Sequence, residues 1–260
     1  MSKLALTEED LQILNSKIGL KHLLAHKKVD VQQALEAAKA EIQLREIQAE
    51  LVRLQLWLIE QGKKLILLFH GGVSIEKSGI IRKILSHNNP RHYRIEVNLP
   101  HVTQLETGEW YFKKFVAKLP QPGEMVFWDR SWYNRALIEP IHGLCTEEEY
   151  ELFMKQVNGF EQMLVDSGYH LVKFYFSVSK KEQQKRMAEI QKDPLAKWKL
   201  LPLDFESYDL WDQFESYKKA MFEQTDTLHA PWVEISVERR QEEITLAAKH
   251  LLSLFPYKER

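Results

Sequence analysis

A single cysteine, Cys145, stands in 260 residues, so no disulfide can close within the chain and a cysteine-built zinc site lacks ligands. Glycine (10) and proline (9) are scarce, together about 7% against a usual total of about 12%, which disfavours collagen-like, low-complexity and turn-dense sandwich architectures. Neither sign of charge dominates. The 36 Lys and Arg against 37 Asp and Glu leave a formal charge of −1, which argues against a wholly basic nucleic-acid binder. Long apolar runs are missing too: Leu65 to Phe69 is typical of the longest, far short of the roughly 20 residues that span a bilayer. The opening MSKLALTEEDLQ carries acids where a signal peptide has its apolar core. The expectation is a cytoplasmic protein without a membrane or nucleic-acid partner.

What is present, 44% hydrophobic and 11% aromatic residues, suits a globular core. Thr7 and Asp10 form a capping pattern for a helix that Gly19 would end. From Asp30 to Gln61 there is neither Gly nor Pro, and Ala37, Ala40, Leu44, Ile47, Leu51, Leu54 and Leu58 recur at steps of three and four, predicting one long helix with an apolar seam. The seam packs on the rest of the domain in one reading and on another subunit in the alternative. After Gly62, Lys64 to Phe69 reads as a strand buried on both faces. Further strands are predicted near Tyr93 to Leu99, Met125 to Trp128, His170 to Val178 and Trp232 to Ser236. Helices are predicted from Gly79, around Trp110 to Val116, and at Glu147 to Asp166, Lys180 to Ile190, Tyr208 to Thr225 and Arg239 to Leu254. This alternation predicts a doubly wound, mostly parallel α/β sheet over residues 62–260, preceded by a helical extension over 1–61. Residues 179–227 hold two helices with no strand between them, an insertion standing over the sheet.

In such a sheet, ligands bind beyond the C-terminal ends of the strands. The first such loop reads Phe69-His-Gly-Gly-Val-Ser-Ile-Glu-Lys77-Ser78-Gly79. It matches a phosphate loop at Gly71, Lys77 and Ser78, with Gly72 and Gly79 alongside, but Glu76 stands where the second glycine belongs. In that motif, backbone N–H groups wrap a phosphate while the lysine neutralises its outer oxygens. Alone, the match serves equally as an ordinary strand-to-helix turn. The loop after the third strand reads Asp129-Arg-Ser-Trp-Tyr-Asn134-Arg135. An acid there is where phosphate-loop enzymes hold Mg²⁺, and Arg130 and Arg135 are placed to meet phosphoryl oxygens with fixed charged forks; a structural salt bridge is the alternative. The insertion carries Arg186, Lys197 and Lys199, solvated unless they face the loop.

The order of these pieces resembles the polyphosphate kinase 2 family. The shared run is Leu51-Val-Arg-Leu-Gln55, the phosphate loop, Glu109-Trp-Tyr-Phe112, Gly123-Glu-Met-Val126, Asp129 to Arg135, Asp193-Pro, Trp198-Lys-Leu, Trp211-Asp and His229-Ala-Pro-Trp232. The resemblance implies a three-layer phosphate-loop kinase fold with a helical lid at about 179–227. It also implies Mg²⁺-dependent phosphoryl transfer between inorganic polyphosphate and a nucleoside mono- or diphosphate, by a homodimer or homotetramer. In that reading Lys77, Asp129, Arg130 and Arg135 are catalytic, with Asp129 and Ser78 on the metal. Gly71, Gly72, Ser78, Gly79, Arg82, Lys83, Asn134, Arg186, Lys197 and Lys199 contact phosphate or nucleotide. The chain departs from the family at His70 for a glutamate, Val73 for an aspartate and Glu76 for a glycine. A non-catalytic paralogue that binds polyphosphate or a partner subunit, and an ATP-using kinase on the same fold, stand as alternatives. His70 reads as a packed histidine, Trp110, Tyr111, Phe112 and Phe115 as core and groove wall, and Cys145 as a plain thiol.

Overall fold

In a computed structural model of the protein, the residues described are 6–25, 30–72, 74–99, 109–196, 209–236 and 240–258. Thr7 caps α1 (Glu8–Asn15) through a capping box with Asp10. The chain then breaks at Ser16, which caps α2 (Lys17–Leu23). Gly19 therefore lies inside α2 and does not end a helix. A Cβ there would sit 2.1 Å from the Ile13 carbonyl oxygen, so glycine is what lets α2 turn tightly against α1. Asp30 caps α3 (Val31–Glu60). Its first half meets α1 and α2 through Ala34 and Leu35. In its second half, Ile47, Leu51, Leu54 and Leu58 enter the main core beside β1, so the reading of the seam as packing within its own domain holds there.

The strands β1 (Lys64–Gly71), β2 (Tyr93–Val97), β3 (Met125–Asp129), β4 (Tyr169–Ser177) and β5 (Trp232–Ser236) form one parallel sheet in the order β2-β3-β1-β4-β5. Side-chain alternation sorts the core into two layers. Leu65, Leu67 and Phe69 of β1 face α3, α4 (Lys77–Ile84) and α10 (Arg240–Ser253). Ile66 and Leu68 face α6 (Asn134–Ile141), α7 (Glu147–Asp166) and α9 (Trp211–Thr225). Each such side chain, fully buried, contributes about 1.5–3 kcal/mol.

The helix expected around Trp110 is confined to α5 (Lys113–Val116), which Phe112 precedes with its ring stacked on Phe160, centroids 4.2 Å apart. Within the insertion, α8 (Lys180–Lys192) and α9 are described. No described helix is long and apolar enough to cross a membrane.

Candidate active site

β1 sits between β3 and β4, and the chain leaves β1 toward β2 but leaves β3 toward β4, so a crevice opens beyond their C-terminal ends. Parity decides what meets there. Asp129 ends β3 on the face of Met125 and Phe127, the face that α4 covers. Ser78, in the first turn of α4, donates its hydroxyl hydrogen to the Asp129 carboxylate. Lys77 is 6% exposed, with Nζ 3.4 Å from the Ile75 carbonyl. Gly71 has φ 149°, and a Cβ there would lie 2.3 Å from the Phe176 carbonyl oxygen, so only glycine fits where the chain leaves β1 against β4. The Gly72 N–H then donates to that same carbonyl at 3.1 Å. Val73 lies outside the described residues.

Glu76 caps α4 without a side-chain capping bond, and its carboxylate folds over Gly79, where an added Cβ would meet Cδ at 2.8 Å. It also reaches Arg82, 3.4 Å away. With Lys83, Arg186 and Glu243, these residues line a cleft of about 270 Å³ between α4, α8 and α10.

Arg130 is the one non-glycine residue with positive φ among those described, at 63°. That left-handed conformation costs about 1–2 kcal/mol for an L residue. The residues after it are tightly anchored. The Ser131 N–H donates to His70 Nε2 at 3.1 Å, and Ser131 Oγ lies 2.7 Å from the same nitrogen. Burial, helped by the charges of Lys77 and Arg130, holds the His70 pKa well below the usual histidine value, so the ring is a neutral acceptor. His70 is thus the packed histidine expected. Trp132 Nε1 donates to Glu161 at 3.0 Å, and Lys173 Nζ donates to the Tyr133 hydroxyl at 3.0 Å.

Glu161 and Lys173 escaped the sequence patterns. They form a 2.8 Å ion pair with both side chains fully buried, and Lys173 also donates to the Thr225 carbonyl at 2.8 Å. Burial works against both charges, pushing the Glu161 carboxyl up and the Lys173 ammonium down, while their mutual attraction opposes this. A signal was available: Lys173 interrupts the apolar strand Leu171-Val-Lys-Phe-Tyr-Phe176.

Three expected phosphate contacts are placed differently. Asn134 is fully buried and donates to the Asn98 carbonyl at 2.7 Å, bracing the end of β2. Arg135 pairs with Glu139 at 2.5 Å and Glu149 at 3.3 Å and lies 4.3 Å over the Tyr111 ring. Arg186 is 1% exposed and pairs with Glu182 at 2.8 Å and Glu243 at 2.5 Å, so it reaches the cleft only as part of its wall. In each case a carboxylate or carbonyl of the chain itself takes a cation or amide expected to face phosphate. Lys197 and Lys199 fall outside the described residues. Phe112 and Phe115 are core, as expected, while Trp110 is half exposed. Burial pushes the Cys145 thiol up to about 12, which leaves it protonated and unreactive at neutral pH.

This arrangement has relatives. The family model described as polyphosphate kinase 2 matches residues 34–260. The chain is 45% identical over 211 residues to NDP-polyphosphate phosphotransferase 2 of Ruegeria pomeroyi, an alignment covering 81% of this chain and 61% of that protein. It therefore spans about three fifths of that relative's length. It is 37% identical over 252 residues to ADP-polyphosphate phosphotransferase of Pseudomonas aeruginosa, covering 97% of this chain and 83% of that one. Its fold is similar to the crystal structure of polyphosphate kinase 2 from Arthrobacter aurescens TC1, with a TM-score of 0.77, 26% identity, and coverage of 83% of this chain and 78% of that chain. On sequence and on fold alike, the chain belongs to the polyphosphate kinase 2 family.

Proposed function

We propose that this protein catalyses phosphoryl transfer between inorganic polyphosphate and a nucleoside mono- or diphosphate, with Mg²⁺, as a cytoplasmic homodimer or homotetramer. The observation that carries the reading is the contact between Ser78 and Asp129 beside Lys77, at the crevice between β1 and β3. A carboxylate and a hydroxyl are hard oxygen donors. They suit Mg²⁺, which keeps waters and substrate phosphates among its six ligands and needs only one or two protein carboxylates. Among the described residues no group of three His, Cys, Asp or Glu is placed to hold a metal ion. Bound at Ser78 and Asp129, Mg²⁺ would neutralise charge on the transferring phosphoryl group.

The attacking atom is a terminal phosphate oxygen of the nucleotide. It forms a bond to the end phosphorus of polyphosphate as the bridging P–O bond breaks, and a chain one phosphate shorter departs. A phosphate oxygen is already anionic at neutral pH, so the reaction needs no general base. The task is positioning and charge neutralisation. Lys77 serves the phosphates near the metal, Arg130 the moving charge, and Arg82 and Lys83 the polyanion in the cleft. Glu76 opposes them: two unit charges about 4 Å apart repel by roughly 1–4 kcal/mol, depending on screening. Slow turnover follows.

The test is to incubate the protein with Mg²⁺, polyphosphate and AMP, ADP or GDP in turn, and in parallel with ATP as donor. The reading expects the acceptor to gain one phosphate from polyphosphate. No product with any acceptor, together with retained salt-sensitive polyphosphate binding, establishes the non-catalytic reading instead. Transfer from ATP alone establishes an ATP-using kinase.

A further inference from the structure

We propose that His70, Glu161 and Lys173 are positioning residues that hold Arg130 in its left-handed backbone conformation beside Asp129. For its kinetic arm the inference rests on the phosphoryl-transfer reading above.

The segment that carries Arg130 is short. Four residues, Arg130 to Tyr133, join the end of β3 to the start of α6. At its front, the Arg130 N–H donates to the Phe69 carbonyl at 3.1 Å, and the Asp129 carbonyl accepts the Asn98 N–H at 3.1 Å. These bonds fix where the turn begins. The next three residues are each held by a buried side chain from a different element: Ser131 by His70 of β1, Trp132 by Glu161 of α7, and Tyr133 by Lys173 of β4. His70 also presents its ring edge-on to Tyr133, with centroids 6.0 Å apart. With both ends fixed, a chain this short keeps Arg130 at positive φ, a conformation uncommon for a residue with a side chain.

Stability alone does not account for the pair. Replacing a buried ion pair by apolar residues of similar volume often leaves a protein as stable or makes it more so. Lys173 spends its three donors on Glu161, Tyr133 and the Thr225 carbonyl, oxygens from α7, the turn after β3 and the end of α9. One ammonium therefore ties the arginine-bearing turn to the trailing helix of the insertion. Packing does not need that geometry; a group that must stay fixed beside Asp129 does.

The experiment compares the parent with Glu161→Leu combined with Lys173→Met, with His70→Leu, and with His70→Gln, which keeps an acceptor at the Nε2 position. Crystal structures of each are read for φ at Arg130, alongside thermal midpoint, kcat and polyphosphate KM. The double variant is expected to fold, to release Arg130 from the left-handed region, and to lose about 10- to 100-fold in kcat with KM within about threefold. His70→Leu is expected to lose about tenfold, and His70→Gln to return within about threefold of the parent. Arg130 still left-handed in both the double variant and His70→Leu, with kcat within about twofold, overturns the proposal and leaves these residues a packing role only. Should the double variant not fold, the His70 pair decides by the same criteria. Should the parent itself transfer no phosphate, the functional reading falls, and φ at Arg130 in the variant crystals still decides this one.

Discussion

The turns after β1 and β3 open side by side at the same end of the sheet, and they are held in different ways. After β3, Ser131, Trp132 and Tyr133 are tied to buried side chains, and Arg135 to two carboxylates. After β1, the turn hangs on backbone bonds: Gly72 N–H to Phe176, Ile75 N–H to Gly72 and Lys77 N–H to Ile75. Glu76 lies at the surface of that turn, with its side chain 36% exposed. A substitution there costs the fold little, so the β1 turn is free to depart from the family pattern while the β3 turn is not. The intact string from Asp129 to Arg135 therefore says less about retained activity than it does when read as sequence. Trp132, Tyr133 and Asn134 are buried and hydrogen-bonded within the fold, so on the proposed function the contacts with metal and phosphate from this string fall to Asp129 and Arg130.

The comparison breaks first at Asp129. Asp129→Asn keeps the size of the side chain and an acceptor for Ser78 but loses the charge, and we expect kcat/KM to fall at least about a thousandfold, about 4 kcal/mol, with the thermal midpoint little changed. Steady-state kinetics beside a melting curve measure both; activity within about threefold of the parent would remove Asp129 from the site. On the β1 side, Lys77→Met should cost about a hundredfold, about 2.7 kcal/mol, by removing the phosphate-neutralising charge while keeping the buried stem. Kinetics unchanged by that substitution would reduce the β1 loop to a turn and place the site on β3 alone.

How much of this was legible in the sequence depended on how local the determining interaction is. Helix α7 and strand β5 fall at the predicted residues. Thr146 and Glu149 cap α7 within one turn, and β5 opens directly after Pro231 with Trp232, Val233 and Ile235. The meeting of Ser78 with Asp129 was foreseeable, because Asp129 ends β3 on the face that α4 covers and Ser78 lies in the first turn of α4. Partners distant in the chain were not legible. Glu243 captures Arg186 from 57 residues away and Glu149 reaches Arg135 from the next helix, whereas Glu139, four residues on along α6, lay within reach of a helix-spacing reading. Pairing of this kind turns an expected phosphate ligand into a wall. Glu161 and Lys173 lie 12 residues apart on different elements, and nothing but the misplaced lysine marks them. Gly19 misled for a related reason: close approach of two helices, not termination, selects the glycine.

The central proposal is that polyphosphate-dependent phosphoryl transfer by this protein is slowed by its β1 loop. The most direct measurement is kcat/KM, with polyphosphate, a nucleoside diphosphate and Mg²⁺, for the parent and for Val73→Asp combined with Glu76→Gly. On the proposed function, the pair would supply the carboxylate that the family resemblance implies for the metal and remove one that opposes phosphate. We expect a rise of at least about tenfold, equivalent to about 1.4 kcal/mol, with the two changes non-additive because they act on the same phosphate and metal. A double variant slower than an active parent contradicts the account and makes Glu76 a working ligand of the site.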